Sequence, residues 1–175
     1  HLLFVGTIAL WLCGTLGATE TSFHGLEMNL GNLARLSDAK TRSISPENFT
    51  GEKGKGGMAA SKIGVGRKGA ALKSIRVGET VTLCDYKKGP AVIRRMWATL
   101  PAKPENLLGF VIRGYWDGQE TPSIEAPIGN FFGAAHGHAK AYQSAVHAMT
   151  DTAGMSLFLP MPFTKSARFT VTNEG

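Results

Sequence analysis

The clearest pattern of apolar and polar positions lies near the end of the chain, in residues 167–172. These residues read ARFTVT, and apolar and polar side chains alternate at every position. Successive side chains of a β-strand point to opposite faces, so this alternation predicts a strand with one buried face and one face in water. The side chains predicted to be buried are Ala167, Phe169 and Val171.

Five other short apolar runs precede this strand, at residues 73–77, 79–83, 91–100, 107–116 and 155–163. Gly and Pro residues separate them, and no long stretch has a helical period. Short strands joined by turns are typical of β-sandwiches and barrels. The pattern therefore predicts an all-β fold, an antiparallel β-sandwich of the jelly-roll type.

The start of the chain has a different pattern. Residues 2–13 (LLFVGTIALWLC) form one apolar run, shorter than the roughly 20 residues that cross a membrane and similar to the apolar region of a signal peptide. Small residues follow up to Ala18, and the first residue is His1, so we expect the signal to begin upstream. We predict a signal peptide over residues 1–18, no membrane span, and a secreted or periplasmic protein. The alternative is a buried strand or helix of the core.

The rest of the chain divides by composition. Residues 19–60 are mainly polar and are predicted to form an N-terminal segment and loop. Residues 61–175 contain the short apolar runs and are predicted to form one jelly-roll domain. Because the sequence stops directly after the strand at 167–172, we expect this domain to be truncated at its C-terminus.

Composition and charge narrow the classes of function. The chain has 175 residues, of which 43% are hydrophobic; this suits a folded domain but is too short for a TIM barrel, which needs at least about 200 residues. Two cysteines are too few for a disulfide framework. The net charge is +6, and seven basic residues lie between residues 53 and 76 without an acidic one. No aromatic residue is interleaved with them, so we interpret this stretch as a solvated loop and predict no nucleic-acid partner.

Two motifs suggest a cofactor or a metal ion, and neither is complete. Residues 64–69 match the dinucleotide pattern G-x-G-x-x-G, but the flanking sequence lacks the strand and helix that this motif requires. His136 and His138, with His147, resemble the histidine pair of cupin jelly rolls. The glutamate expected three to five residues after that pair is missing, because residues 141–143 read AYQ. We therefore predict no cofactor and no metal.

The residues with the most specific chemistry lie in the segment 115–133, YWDGQETPSIEAPIGNFFG. Its Asp-Gly pair predicts a tight turn, and three carboxylates (Asp117, Glu120 and Glu125) lie within nine residues. Aromatic faces next to carboxylate acceptors are typical of sugar-binding sites. The alternative is that the aromatic residues only fill the core; these are Trp116, Phe131 and Phe132.

Three segments in order resemble the motifs of one known family. They are TRSISPENFTGEKGKGG at 41–57, the segment at 115–133, and LPMPFTKSARFTVTNEG at 159–175. Over about residues 40–175 the chain is similar to glycoside hydrolase family 172, formerly domain-of-unknown-function family 2961. This family includes α-fructofuranosidases and enzymes that cleave D-arabinofuranan.

The resemblance implies a double jelly roll of which this chain holds the first half, assembled into homotrimers or hexamers. It also implies a retaining furanosidase with two catalytic glutamates and no organic cofactor. Those glutamates lie in the second jelly roll, so we expect them beyond residue 175 and assign no catalytic residue here. One position departs from the family pattern, because Asn130 replaces the usual Asp.

The resemblance leaves substrate contact as the role of this half of the protein. The residues assigned to it are Arg42, Ser43, Glu47, Asn48, Trp116, Asp117 and Glu125. The implied ligand is a furanose-containing oligosaccharide or polysaccharide with fructofuranosyl or D-arabinofuranosyl linkages. For Arg42 and Glu47 the alternative is a surface ion pair of little energetic consequence. For the whole chain the alternative is a non-catalytic secreted jelly-roll module that binds glycans or assembles with itself.

Overall fold

A computed structural model describes residues 34–56, 60–61, 64–65 and 74–175, with backbone only at 60–61 and 64–65. The chain divides into two compact units, His1–Asp38 and Ala39–Gly175. Of the first unit only residues 34–38 are described, and they form no helix or strand. The predicted signal peptide at 1–18 lies outside the described residues, as does most of the basic stretch, so both predictions remain untested.

The described residues of the second unit form short strands and three short helical turns. The helical turns are α1 (Pro104–Gly109), α2 (Ile128–Phe131) and a 3₁₀ turn (Ala135–Gly137). The strands are β1 (Ala60–Ser61), β2 (Gly64–Val65), β3 (Thr80–Tyr86), β4 (Ala91–Ile93), β5 (Met96–Thr99), β6 (Phe110–Trp116), β7 (Ile124–Pro127), β8 (Tyr142–Gln143), β9 (His147–Met149), β10 (Gly154–Leu157), β11 (Met161–Phe163) and β12 (Ala167–Asn173).

The described strands form two four-stranded and two two-stranded sheets, and all their pairs are antiparallel. The larger sheets have the orders β3-β12-β6-β7 and β5-β10-β9-β8; the smaller ones are β1-β2 and β11-β4. Early strands pair with late strands in a nested way, β3 with β12, β4 with β11 and β5 with β10. The predicted all-β antiparallel class is confirmed, and the jelly-roll connectivity remains a prediction.

One cluster of buried apolar side chains is shared by the two larger sheets. It includes Ile112 and Phe169 from the first sheet and Met155 and Leu157 from the second. The sheets therefore pack on a common core, as in a β-sandwich. Burial of each such side chain contributes roughly 1.5–3 kcal/mol.

Strand β12 has the face alternation that its sequence predicts, with one exception. Ala167, Phe169 and Val171 are buried, as expected. Thr170 lies on the opposite face but is only 5% exposed. Hydrogen-bonded strands flank β12 on both sides, with Arg113 of β6 and Thr82 of β3 opposite Thr170. A position on the outer face of a central strand can thus lose its contact with water.

Close packing explains a glycine in the centre of this sheet. Gly114 of β6 lies opposite Phe169 in the register. A Cβ atom at Gly114 would lie 2.8 Å from Cε1 of Phe169 and 3.2 Å from Cβ of Ile124. The missing side chain therefore gives the Phe169 ring its place in the core.

Three apolar runs are divided in ways that the sequence pattern did not predict. The run 155–163 forms β10 and β11, which lie in different sheets. The run 91–100 forms two strands, β4 and β5, in different sheets, with Arg94 and Arg95 between them. In the run 107–116 the first three residues end helix α1, and only the rest forms β6. The predicted strand at 73–77 is absent over its described residues 74–77. Continuous hydrophobicity does not show where a chain changes from one sheet to another.

The two ends of the first sheet carry different structures. Helix α1 leads into β6 and α2 follows β7, so both lie at one end. At the other end the turn 164–166 meets two loops: Gly89 N–H donates to the carbonyl of Lys165 at 2.9 Å, and Asp117 N–H donates to that of Ser166 at 2.8 Å. In the part of the chain described, no helix has the length and hydrophobicity to cross a lipid bilayer.

The core position of Phe169 leads to a stability prediction. Its side chain is 1% exposed, and truncation of such a residue leaves a cavity, so Phe169→Ala should reduce the free energy of unfolding by about 3–5 kcal/mol. The control is Val77→Ala, because Val77 is 73% exposed and its truncation should change stability by less than about 0.5 kcal/mol. Guanidinium unfolding measures both. Equal stabilities of the two variants would contradict the assignment of the core.

Candidate functional site

The first group of candidate residues lies in a tight loop, residues 42–52. Ser45 and Asn48 form an isolated antiparallel bridge, with Asn48 N–H donating to Ser45 O at 2.9 Å. The Asn48 side chain holds the loop closed, because its Nδ2 donates to Glu52 O at 3.0 Å and its Oδ1 accepts from Glu52 N–H at 3.2 Å. Asn48 is also buried. A contact between its amide and a substrate would compete with these bonds.

Glu47 in the same loop has an unsatisfied group. Its Oε1 atom is buried and has no hydrogen-bond partner. Buried carboxylate oxygens are normally hydrogen-bonded, so each exception needs an explanation. Arg42, the predicted alternative partner, donates instead to the carbonyl of Thr41 at 2.8 Å, and no ion pair joins it to Glu47 within the described loop. Arg42 and Ser43 are both exposed.

The second group lies at the end of β6, where Asp117 follows Trp116. The predicted turn is present: Asp117 has φ +52° and Gly118 has φ +91°, both in the left-handed region. The Asp117 carboxylate accepts hydrogen bonds from the β11–β12 turn, residues 164–166. Its donors are Thr164 Oγ1 at 2.7 Å and the backbone N–H groups of Thr164 at 3.1 Å, Lys165 at 2.6 Å and Ser166 at 3.1 Å.

These bonds all favour the ionised form of Asp117. The Thr164 hydroxyl, followed by the N–H groups of Lys165 and Ser166, holds the pKa of Asp117 well below its usual range. The carboxylate therefore ties the β6–β7 turn to the turn before β12. Substrate contact by Asp117 remains a prediction, and such a contact would have to share oxygens that already bind the protein.

Trp116 belongs to the core side of the same strand. Its ring is stacked on Phe163 at a centroid distance of 6.4 Å and meets the Phe169 ring edge-on at 5.4 Å. The side chain is half-buried and lies against the main core cluster. The interpretation of Trp116 as a core residue thus has direct support, while a sugar-stacking role stays a prediction.

The third location is the outer face of the sheet β3-β12-β6-β7, which we call the polar face. Its residues are Arg113 and Tyr115 of β6, Glu125 of β7, Arg168 and Thr172 of β12, Thr80 of β3, and Glu174 just after β12. It contains one predicted residue, Glu125. The others were not predicted, since their proximity depends on strand register.

Arg113 is the centre of the polar face. Its Nε donates to Glu125 at 3.1 Å, its Nη2 to Glu174 at 2.6 Å and its Nη1 to the Thr172 hydroxyl at 3.0 Å. The hydrogen bonds to Glu174 and Glu125 raise the pKa of Arg113, whose side chain is 21% exposed. Thr80 extends the network through a 2.8 Å contact with Thr172.

An aromatic side chain lies on the same face as this network. The guanidinium carbon of Arg168 lies 3.7 Å from the centroid of the Tyr115 ring, a cation–π contact. Tyr115 is two residues after Arg113 on the same strand, so both side chains point outward. The polar face therefore presents carboxylates, guanidinium donors and a phenol side by side, which is the chemistry that sugar hydroxyls and ring faces need.

The histidines of the possible metal motif do not lie on a strand. His136 lies inside the 3₁₀ turn with φ +54°, and His138 follows it; both are exposed. His147 lies in β9. Over the described ranges, 34–56 and 74–175 for side chains, no three His, Cys, Asp or Glu residues converge as metal ligands would.

The segment around the Asn130 substitution forms the short helix α2. Phe132 is buried in the core and meets Phe131 edge-on at 5.1 Å. Gly129 allows α2 to approach α1, because a Cβ there would lie 2.8 Å from the Leu107 carbonyl oxygen. Asn130 itself is exposed. Phe132 is thus a core residue, while the Asn130 side chain faces solvent.

Comparison with known protein families decides the assignment. A family model described as GH172 domain-like matches residues 68–175, more than half of the chain. The chain belongs to the GH172 domain-like family. This confirms the resemblance over residues 68–175, which contain the second and third motifs; the motif at 41–57 lies outside the match. No curated protein sequence matches the chain.

The geometry of this GH172 domain also shows how three of its carboxylates, Asp117, Glu125 and Glu174, are arranged. A retaining glycosidase needs two carboxyl groups about 5 Å apart. Glu125 lies opposite Arg113 in the register of β6 and β7. Arg113 is four residues before Asp117, and four residues of a strand span about 13 Å, so Glu125 and Asp117 are about that far apart along the sheet. Glu125 and Glu174 are closer to each other, but Arg113 binds both. Neither combination presents two free carboxyl groups at the required distance.

The Asp117 bonds predict a specific pH dependence of stability. A depressed pKa in the folded state stabilises the fold above the unfolded-state value of about 3.9, and this stabilisation is lost as the pH falls below that value. Asp117→Asn should therefore lower Tm near neutral pH, and the difference from the wild type should shrink below about pH 4. Glu120→Gln, an exposed carboxylate in the same loop, is the control. Thermal melts between pH 3 and 7 measure this, and a Tm difference independent of pH would contradict it.

Proposed function

We propose that this chain is the N-terminal, carbohydrate-binding part of a secreted glycoside hydrolase that acts on furanosides. The observation that carries the proposal is the GH172 match over residues 68–175. The proposed linkages are fructofuranosyl or D-arabinofuranosyl, as the motif resemblance implies. The ligand is a furanose-containing oligosaccharide or polysaccharide, bound without a cofactor.

The polar face supports a role in binding sugars. Arg113 and its two carboxylates form a fixed set of donors and acceptors, in which the two carboxylate side chains are exposed and Arg113 is partly buried. The carboxylates keep free lone pairs, because an ionised carboxyl group accepts up to about four hydrogen bonds. Tyr115 adds an aromatic side chain two residues along the strand. Hydroxyl groups of a furanose ring match this set of partners.

Glu47 supports a second contact with the same ligand. Its buried Oε1 has no partner in the protein, and an unpaired buried carboxylate oxygen carries a desolvation cost. The Glu47 residue as a whole is half-buried, so a substrate hydroxyl that displaces the atoms covering Oε1 would supply the missing donor. This role agrees with the predicted substrate contact of the 42–52 loop.

The retaining mechanism requires a catalytic pair, which we do not assign to the described carboxylates. One carboxyl group acts as nucleophile and the other as acid and then base. Asp117 is bound by the turn 164–166, and Glu125 is bound by Arg113. We propose that these residues position the substrate or the fold, and that two other glutamates of the complete enzyme carry out the chemistry.

Export and self-association complete the proposal. The apolar run at residues 2–13, followed by small residues up to Ala18, supports export of the protein. The motif resemblance supports a homotrimer or homohexamer. The competing function, a non-catalytic glycan-binding module, is favoured by the hydrogen bonds that already engage the carboxylates of Asp117, Glu125 and Glu174.

Turnover and binding together test the proposed function. The 175-residue chain is incubated with aryl α-D-arabinofuranoside and aryl fructofuranoside, and its affinity for the corresponding oligosaccharides is measured by calorimetry. We expect binding without release of the aryl group. Turnover that disappears in Glu47→Gln or Glu125→Gln would place the chemistry in this chain, and the absence of any binding would contradict the proposal.

Glu47 gives a matched pair of variants for the binding step. A hydrogen bond to a charged group contributes about 1.5–3 kcal/mol, so Glu47→Gln should weaken oligosaccharide binding by about 10- to 100-fold. The control is Glu52→Gln in the same loop, where the side chain is exposed and no change in affinity is expected. Calorimetry measures both affinities, and thermal melts check that both variants remain folded. Equal affinity of the two variants would remove Glu47 from the site.

A further inference from the structure

We propose that the outer face of the other sheet, β5-β10-β9-β8, is a second carbohydrate-binding surface. On this surface, which we call the Trp97 face, Trp97 stacks on a sugar ring and Arg95 donates hydrogen bonds to its hydroxyl groups. The inference rests on the proposed function for the class of ligand. The location of the Trp97 face does not depend on the proposed function. The outer faces of two sheets that share a core point in opposite directions, so the Trp97 face is separate from the polar face.

Trp97 is an exposed aromatic residue in the middle of a regular strand. On β5 its neighbours Met96 and Ala98 pack against the core, so the alternation of the strand places Trp97 on the outer face. Its side chain is 56% exposed. A large apolar ring in this position is more informative than an exposed side chain in a loop, because the sheet fixes its direction.

The residues next to Trp97 are small, which leaves the indole ring accessible. Ser156 of β10 lies directly opposite Trp97, and Ala148 of β9 lies opposite Ser156. Two residues further along β5, Thr99 lies opposite Gly154 of β10. Ser156 is only 7% exposed, and the Thr150 side chain lies over Gly154. This floor of small residues is therefore largely covered, and the accessible apolar surface is the Trp97 ring beside it on the edge strand.

Arg95 supplies polar contacts at one end of this floor. Its Nη2 donates to the Ser156 hydroxyl at 3.3 Å, and its guanidinium lies 5.6 Å from the centroid of the Phe158 ring. These contacts hold the guanidinium on the same face as Trp97. Ser156 takes one of the five N–H donors of an arginine, which leaves others for a ligand.

This combination fits a carbohydrate better than a protein partner. A stable protein interface buries about 800 Å² on each side around an apolar centre, whereas the floor here consists of Ser156, Ala148 and Gly154. A sugar needs one aromatic face for its C–H groups and nearby donors for its hydroxyl groups. Same-face positions from Arg95 to Thr99 span about 13 Å, so the surface suits a short segment of an oligosaccharide.

Binding of D-arabinofuranose and fructofuranose oligosaccharides to single variants tests the proposal. Calorimetry on Trp97→Ala should show at least a tenfold loss of affinity, and Trp97→Phe should restore affinity to within about threefold, since a phenyl ring also stacks. The control, Val77→Ala, removes another exposed apolar side chain and should bind like the wild type. Indole fluorescence should change on binding in the wild type and change less in Trp97→Phe, where Trp11 and Trp116 remain.

The outcomes separate this proposal from the proposed function. If Glu47→Gln weakens binding and Trp97→Ala does not, the Trp97 face is not a binding surface although the proposed function stands. If Trp97→Ala weakens binding and Glu47→Gln does not, the result supports the Trp97 face and shows that Glu47 is not part of a binding site. A change in the oligomeric state of Trp97→Ala, seen by size-exclusion chromatography with unchanged affinity, would instead assign this face to contact between copies of the chain. If the wild type binds neither sugar, both proposals are wrong.

Discussion

Strand β12 is the constraint on which the rest of the domain depends. It is hydrogen-bonded along its length to β3 on one side and to β6 on the other, so it joins segments far apart in the sequence. Its inner face supplies Phe169 and Val171 to the core shared by both sheets. Its outer face supplies Arg168 and Thr172 to the polar face. Both the packing and the candidate chemistry follow from the register of this one strand.

Asp117 fixes the turn that leads into β12. The carboxylate binds the backbone of residues 164–166, and the same turn meets Gly89 of the β3–β4 loop. Three loops are therefore held together at one end of the sheet. A residue that suggested substrate chemistry from its sequence context has a structural task, which explains why an aspartate stands at this strained turn position with φ +52°.

The polar face follows from the same strand order. Arg113 lies between Glu125 on β7 and Thr172 on β12 because β6 is hydrogen-bonded to both strands. An arginine that binds two carboxylates and a hydroxyl has little freedom to move, so its donors are preorganised. Preorganised donors lose less entropy when a ligand binds. This rigidity distinguishes the polar face from an ordinary charged surface.

Local patterns predicted the fold class and several strands, because alternation and turn residues act over a few positions. The alternation of 167–172 and the Asp117-Gly118 turn are examples. Non-local contacts were not predictable: the burial of Thr170, the division of 91–100 into two sheets, and the bonds from Asp117 to residues 47 to 49 positions later. Arg113 and Glu174 had no local signal, since their 2.6 Å contact depends on the register of β6 with β12. Trp97 was hidden within an apolar run whose direction only the sheet reveals.

The most direct test of the central claim, that the polar face binds furanose-containing sugars, is a two-dimensional NMR titration. The Arg113 Nε–H group, which donates to Glu125, gives a side-chain signal that reports on this face alone. Addition of a D-arabinofuranose or fructofuranose oligosaccharide should shift this signal and the backbone amide signals of Tyr115 and Glu174 in a saturable way. Signals of the polar face that stay unchanged at sugar concentrations that saturate the protein would contradict the claim.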